Sequence, residues 1–103
     1  MVKIVWTERS LTDLEDIAEY IAKDSEKYAS LTIEKIIHQT LILEKQPRMG
    51  RVVPELNDRR FRELIIGNYR VIYEHSKSVV NILTVYHAKR NLRKQNLFSE
   101  KDK

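Results

Sequence analysis

Apolar positions along this chain switch between two spacings, and the switches mark its elements. "VKIVW" (2–6) is a short β-rich apolar run and predicts a strand. Leu11, Leu14, Ile17, Ala18 and Ile21 then recur at helical spacing. Acidic Glu8, Asp13, Glu15, Asp16 and Glu19 fill the other side and the N-terminal turns, where the helix dipole favours them. Thr7 or Ser10 is placed to cap this helix, with Asp13 completing a capping box after Ser10, and the helix ends near Asp24. A second stripe, Ala29, Ile33, Ile36, Thr40 and Leu43, widened by Ile37 and Leu41, predicts a helix from about Ser25, which Pro47 and Gly50 stop. The two helices make an α-hairpin. Residues 46–60, "QPRMGRVVPELNDRR", form a long loop with some extended backbone.

Beyond the loop the period falls to two. "FRELII" (61–66) meets "YRVIYE" (69–74) across Gly67-Asn68, a two-residue turn suited to a tight hairpin, and "VVNILTVY" (79–86) follows "HSKS". The predicted fold is α+β: an antiparallel sheet in the order β-α-α-β-β-β, with the helical hairpin on one face. Residues 1–103 make one domain, and 98–103 are expected to fray. The tight turn pairs Ile66 with Tyr69 and Leu64 with Val71. A four-residue loop at "HSKS" would pair Tyr73 with Val80 and Val71 with Ile82. The helix-covered face is then Leu64, Ile66, Tyr69, Val71, Tyr73, Val80, Ile82 and Tyr86, with Arg62 its one charge. The second face mixes Phe61, Glu63, Ile65, Arg70, Ile72, Glu74, Asn81, Leu83, Val85 and His87. Apolar and charged side chains interleaved in this way fit a partner surface. In this register Arg70 and His87 stand four residues apart, roughly 13 Å at ~3.3 Å per residue.

Composition narrows the class. Apolar residues are 42% and charged residues 33%, as in a globular domain. No apolar run approaches the ~20 residues of a membrane span, and "MVKIVW" is too short for a signal peptide. With no cysteine, disulfides and thiol chemistry are excluded, which fits a cytoplasmic protein. Charge is unevenly placed. Residues 1–46 hold six Lys/Arg against nine Asp/Glu, and residues 47–103 hold thirteen against six. The basic half could meet nucleic acid or an acidic partner. A plain nucleic-acid-binding module would need Arg48, Arg51, Arg59, Arg60 and Arg62 to track phosphates, but the sequence lacks a recognition-helix signature or a row of stacking aromatics. His38, His75 and His87 lack clustered spacing, so no metal site is predicted. His87, just after the last strand in "VYHAKRN", is a lone histidine at a strand end, the place of a structural or solvated residue as well as of a group that can take up a proton.

Three segments, "QPRMGRVVPEL" (46–56), "FRELIIGNYRVIYEH" (61–75) and "VVNILTVYHAKRNL" (79–92), resemble the RelE/ParE superfamily of type II toxins. "PRMGR" and "VYHAKR" look more like the ParE branch. The resemblance implies a small basic toxin without cofactor, often linked to plasmid stabilisation. A partly disordered acidic antitoxin wraps such a toxin in a hetero-oligomer and silences it. Members of the ParE branch inhibit DNA gyrase, and that is the expectation for this chain. RelE-branch members are mRNA interferases that cut mRNA on the ribosome without a metal, and this is the alternative. In that case Arg70 and Arg90 match two arginines of the RelE-branch site, Arg62 lies near its lysines, and His87 would replace a tail tyrosine that residues 91–103 lack. The expected target or antitoxin contacts are Arg48, Arg51, Arg59, Arg60, Phe61, Arg70, Ile72, Leu83, Val85, Lys89, Arg90 and Arg93.

Overall fold

A computed structural model describes residues 1–89, so Arg90, Arg93 and the tail expected to fray lie outside the described residues. The chain runs β1 (Lys3–Trp6), α1 (Glu8–Ala22), α2 (Glu26–Thr40), a 3₁₀ turn (Leu41–Glu44), β2 (Arg51–Val52), β3 (Phe61–Ile66), β4 (Tyr69–Ser76) and β5 (Val79–His87). The five strands form one sheet in the order β1-β5-β4-β3-β2. The α+β class is as read from the sequence. The sheet is mixed rather than wholly antiparallel, because β1 joins β5 in parallel. No turn links those two strands, so no local signal in the sequence sets their relative direction. Among the described residues, no helix is long and apolar enough to cross a membrane.

Thr7 ends the first strand and starts the first helix. Its hydroxyl accepts from the Ser10 N–H (3.2 Å) and donates to the Ile82 carbonyl (2.6 Å), so one side chain caps α1 and ties it to β5. Ser25 caps α2 by accepting from the Tyr28 N–H at 3.0 Å. The α2 stripe packs as its spacing predicts: Ala29, Ile36, Thr40 and Leu43 are buried. Ile36 and Leu43 meet Ile66, Val71, Tyr73, Val80, Ile82 and Val85 on one face of the sheet, joined by Leu14 from α1. Leu11, Ile37 and Leu41, expected on the helix stripes, stay substantially exposed.

The β3–β4 hairpin has the predicted register, Ile66 opposite Tyr69 and Leu64 opposite Val71. Gly67 takes φ +61°, a conformation that costs glycine little. The β4–β5 pairing differs from expectation twice. The turn is two residues, Lys77-Ser78, so Tyr73 faces Ile82 rather than Val80. A bulge then breaks the register next to Ile72/Tyr73, leaving Leu83 unpaired. The extra residue reverses the faces beyond it. Val71 faces Val85, Arg70 faces Tyr86 and Tyr69 faces His87. Val85 therefore joins the helix-covered core, and Tyr86 moves to the second face with Leu83.

Beyond Ile82, β5 has no strand on its β1 side among the described residues. Asp13 fills that gap: its carboxylate accepts from the Val85 N–H (3.0 Å) and from the Thr84 hydroxyl. The predicted capping-box role thus gives way to a long-range tie from helix to sheet edge. Burial, outweighing these hydrogen bonds and Arg9, holds the Asp13 carboxyl above the usual carboxylate value. A raised native pKa means a contribution present in full at acid pH and lost as pH rises through that value. Asn at this position keeps an acceptor and carries no charge. Urea midpoints of the wild type and Asp13→Asn at pH 3, 5 and 7 should therefore show the variant gaining on the wild type as pH rises. A constant offset across the range would contradict this.

Candidate functional site

The second face of the sheet carries an alternating row of charges, and it is buried. Glu63, only 1% exposed, accepts from Arg51 Nε at 2.6 Å and from Arg70 Nε at 2.7 Å. Arg70, 5% exposed, also places its two terminal nitrogens on Glu55, each at 2.9 Å. Its guanidinium lies 5.7 Å from the centre of the Tyr86 ring. Two arginines and two carboxylates balance, and three of the four come from strands whose spacing fixes them. Hydrogen bonds to Glu55, then Glu63, raise the Arg70 guanidinium above its ordinary value despite burial. A phosphate reaching Arg70 would have to displace a carboxylate.

Glu55 brings its loop with it. Val53 is fully buried against Phe61 and Ile72, with Leu56, Leu83 and Tyr86 around them. Its N–H donates to the Phe61 carbonyl at 3.1 Å, and its carbonyl accepts from the Leu56 and Asn57 N–H groups. The start of the loop is held from the core. The buried Tyr73 hydroxyl donates to the Pro47 carbonyl at 2.8 Å and accepts from the Gly50 N–H at 2.9 Å. A Cβ at Gly50 would stand 2.5 Å from the Glu63 carbonyl oxygen, so only glycine fits that approach.

These contacts sort the residues expected at a site. Arg70 and Glu63 are internal to the fold. Phe61 and Ile72 lie beneath the loop, and Val85 lies under the helices. Leu83 is half-buried on the second face. His87 is on the opposite side of the sheet from Arg70. Its ring meets Tyr69 edge-on at 5.6 Å, and Nδ1 accepts from the Lys89 N–H at 3.2 Å. The pair envisaged from the sequence is thus separated by the sheet itself, a result of the bulge. Lys89 is exposed beside His87. His38 lies on the exposed side of α2.

Two surfaces do assemble. At one end of the sheet, Arg48, Arg59, Arg60, Arg62 and His75 line a depression of about 250 Å³. Arg60 is held by Asp58 (Nη2–Oδ2 2.9 Å) and lies over the Phe61 ring at 5.1 Å. Arg62 Nη1 donates to the Gly50 carbonyl at 2.9 Å. Arg51 belongs to the Glu63 pair instead. The second surface is an apolar groove of about 680 Å³ between the end of α2 and β3, lined by Leu41, Ile42, Met49, Leu64 and Ile65. Beside it β3 has no described strand partner on its outer edge beyond Glu63. The sequence reading missed this groove. Its signal was the surplus width of the α2 stripe at Leu41 together with an isoleucine, Ile65, on the mixed face.

A family profile for "ParE toxin of type II toxin-antitoxin system, parDE" matches residues 4–92. A search of curated proteins gives no match. Among solved structures the chain is similar to a protein titled "Chromosomal ParDE TA system from P. aeruginosa", with 18% identity over 86% of this chain and 98% of that one, at a TM-score of 0.73. At that identity the likeness speaks to the fold.

Removing Arg70 leaves buried Glu63 short of its main cation, a change that costs about 3–5 kcal/mol in comparable pairs. Arg59, exposed, should cost under ~0.5 kcal/mol. Urea unfolding of Arg70→Ala and Arg59→Ala measures both. Equal midpoints for the two variants would contradict the assignment of Arg70 to the fold.

Proposed function

The chain belongs to the ParE toxin family of type II toxin–antitoxin systems, and from that premise we propose that it inhibits DNA gyrase by binding, without cutting a substrate. It is the toxin of a two-component module, and its partner is an antitoxin. The observation that carries the binding reading is the engagement of Arg70 by Glu55 and Glu63. Ribosome-dependent mRNA cleavage needs cations free to face a phosphate and a base and acid on either side of it. Arg70 is committed to carboxylates, and His87 is across the sheet from it. Arg62 is turned to the Gly50 carbonyl. The remaining member of that set, Arg90, is outside the described residues. The endonuclease alternative therefore has less support than the gyrase reading.

On this proposal the target contacts are the 48–60 loop, with Arg48, Arg59 and Arg60, and a separate patch at the other end of the sheet, where Lys89 follows His87 and Arg90 and Arg93 come next in the sequence. Gyrase places the action in the cytoplasm. The antitoxin takes the apolar groove. An extended segment laid along the outer edge of β3, which has no strand partner beyond Glu63 among the described residues, would put alternate side chains against Leu41, Ile42, Met49 and Ile65. The basic second half of the chain suits an acidic segment there.

One assay format tests both parts. The purified toxin is added to gyrase supercoiling reactions, and separately to ribosomes translating an mRNA. The expected result is loss of supercoiling with the mRNA intact, relieved by antitoxin. Ile65→Asp should still inhibit but need about tenfold more antitoxin for relief, the loss expected of one anchor residue worth ~1.4 kcal/mol. mRNA cleavage without gyrase inhibition would overturn the target. Unchanged relief of Ile65→Asp would overturn the groove.

A further inference from the structure

The arginine depression at the end of the sheet gathers cations that the fold does not fully neutralise. The chain supplies carboxylates to Arg51, Arg60 and Arg70. Arg48 and Arg59, on the rim of the depression, have no ion-pair partner among the described residues. Four guanidiniums line the concavity, and Asp58 and Glu74 act on one of them, Arg60, so that counting both carboxylates still leaves a surplus of two positive charges. The five side chains come from three segments that are fixed to one another. The Tyr73 hydroxyl pins the backbone on both sides of Arg48. The Arg60 carbonyl accepts from the His75 N–H at 3.3 Å, and Asp58 orients the Arg60 guanidinium. Arg62 is braced by Gly50. The donors are thus arranged before any ligand arrives, which reduces the ordering cost of binding.

We infer that this depression is a phosphate-binding site that receives the backbone of duplex DNA. Guanidinium forks match phosphoryl oxygens two at a time, and the depression holds several of them. Arg48, Arg59 and Arg60 are exposed around it, so a strand passing over it meets all three. The contacts are to backbone alone, because no described helix or strand projects from the depression to read bases, so binding is indifferent to sequence. The site shares Arg48, Arg59 and Arg60 with the surface assigned to gyrase above, and the test below contains no gyrase, so failure of DNA binding is distinguishable from failure of the gyrase reading.

The test measures binding of the antitoxin-free toxin to a short fluorescent DNA duplex by anisotropy across a salt series. Three proteins are compared: the wild type, Arg48→Gln/Arg59→Gln, and Lys23→Gln/Lys27→Gln. The last removes the same charge from the far end of the helical hairpin, and thermal melts check that all three fold. The wild type should bind two duplexes of unrelated sequence alike. The arginine variant should bind about tenfold or more weakly, with the slope of log K against log salt reduced by about 2, one unit for each phosphate that is no longer neutralised. The lysine variant should keep the wild-type slope. Equal weakening in both variants would overturn the site in favour of net charge. Binding of a poly-glutamate peptide in place of DNA, or of neither, would overturn it as well.

Discussion

Glu63 is a carboxylate at the centre of a sheet, almost without exposure, and it is stable there because Arg51 and Arg70 meet it from either side. Burying an ion costs several kcal/mol unless its partners are close and well oriented. Here the partners do more than neutralise it. Arg70 spans Glu63 on β3 and Glu55 in the loop, so the charge that makes Glu63 tolerable also draws the loop onto the sheet. Val53 then covers Phe61 and Ile72, and a second small core forms on the face opposite the helices. A face that would otherwise be open to a partner becomes interior, and the exposed surfaces are displaced to its ends.

That displacement accounts for where the arginines point. With the loop clamped in the middle, its two ends are held near the same end of the sheet, Arg48 from one and Arg59 and Arg60 from the other. Tyr73 links this arrangement to the main core, since its ring lies among the helix-packed residues and its hydroxyl holds Pro47 and Gly50. Leaving the Gly50 N–H unsatisfied would cost ~1–3 kcal/mol, so the loop is tied to the helix side by a bond as costly to lose as a cap. The β2 segment is kept to two residues, and where the apolar groove begins the outer edge of β3 has no strand partner among the described residues.

Much of this was legible in the chain. The α2 stripe named its buried residues because helical period and burial are linked by geometry alone. The Gly67-Asn68 turn fixed the β3–β4 register, and the three matched segments pointed to the family later found by profile. What was hidden depended on contacts distant in sequence. Leu83 carries no mark of a bulge, yet the bulge moved Val85 and His87 to the helix side and Tyr86 away from it. "HSKS" reads as a four-residue loop unless Lys77 is allowed a positive φ, which it takes at 51°. The fate of Arg70 was hidden for a different reason. Its type and position suit a phosphate, and only the fold shows that two carboxylates, one of them fifteen residues away along the chain, reach it first.

Everything placed around the loop depends on the carboxylate bracket that holds it. Native-state hydrogen exchange on Glu55→Gln tests that dependence most directly, because this change weakens the loop end of the bracket and leaves Glu63 paired. Protection should fall at the Val53 and Asn57 amides, which bond within the loop and to Phe61, while amides in α1 and at Val85 exchange as in the wild type. Unchanged protection at Val53 and Asn57 would mean that the loop holds its place without Arg70, and would contradict the role given to the bracket.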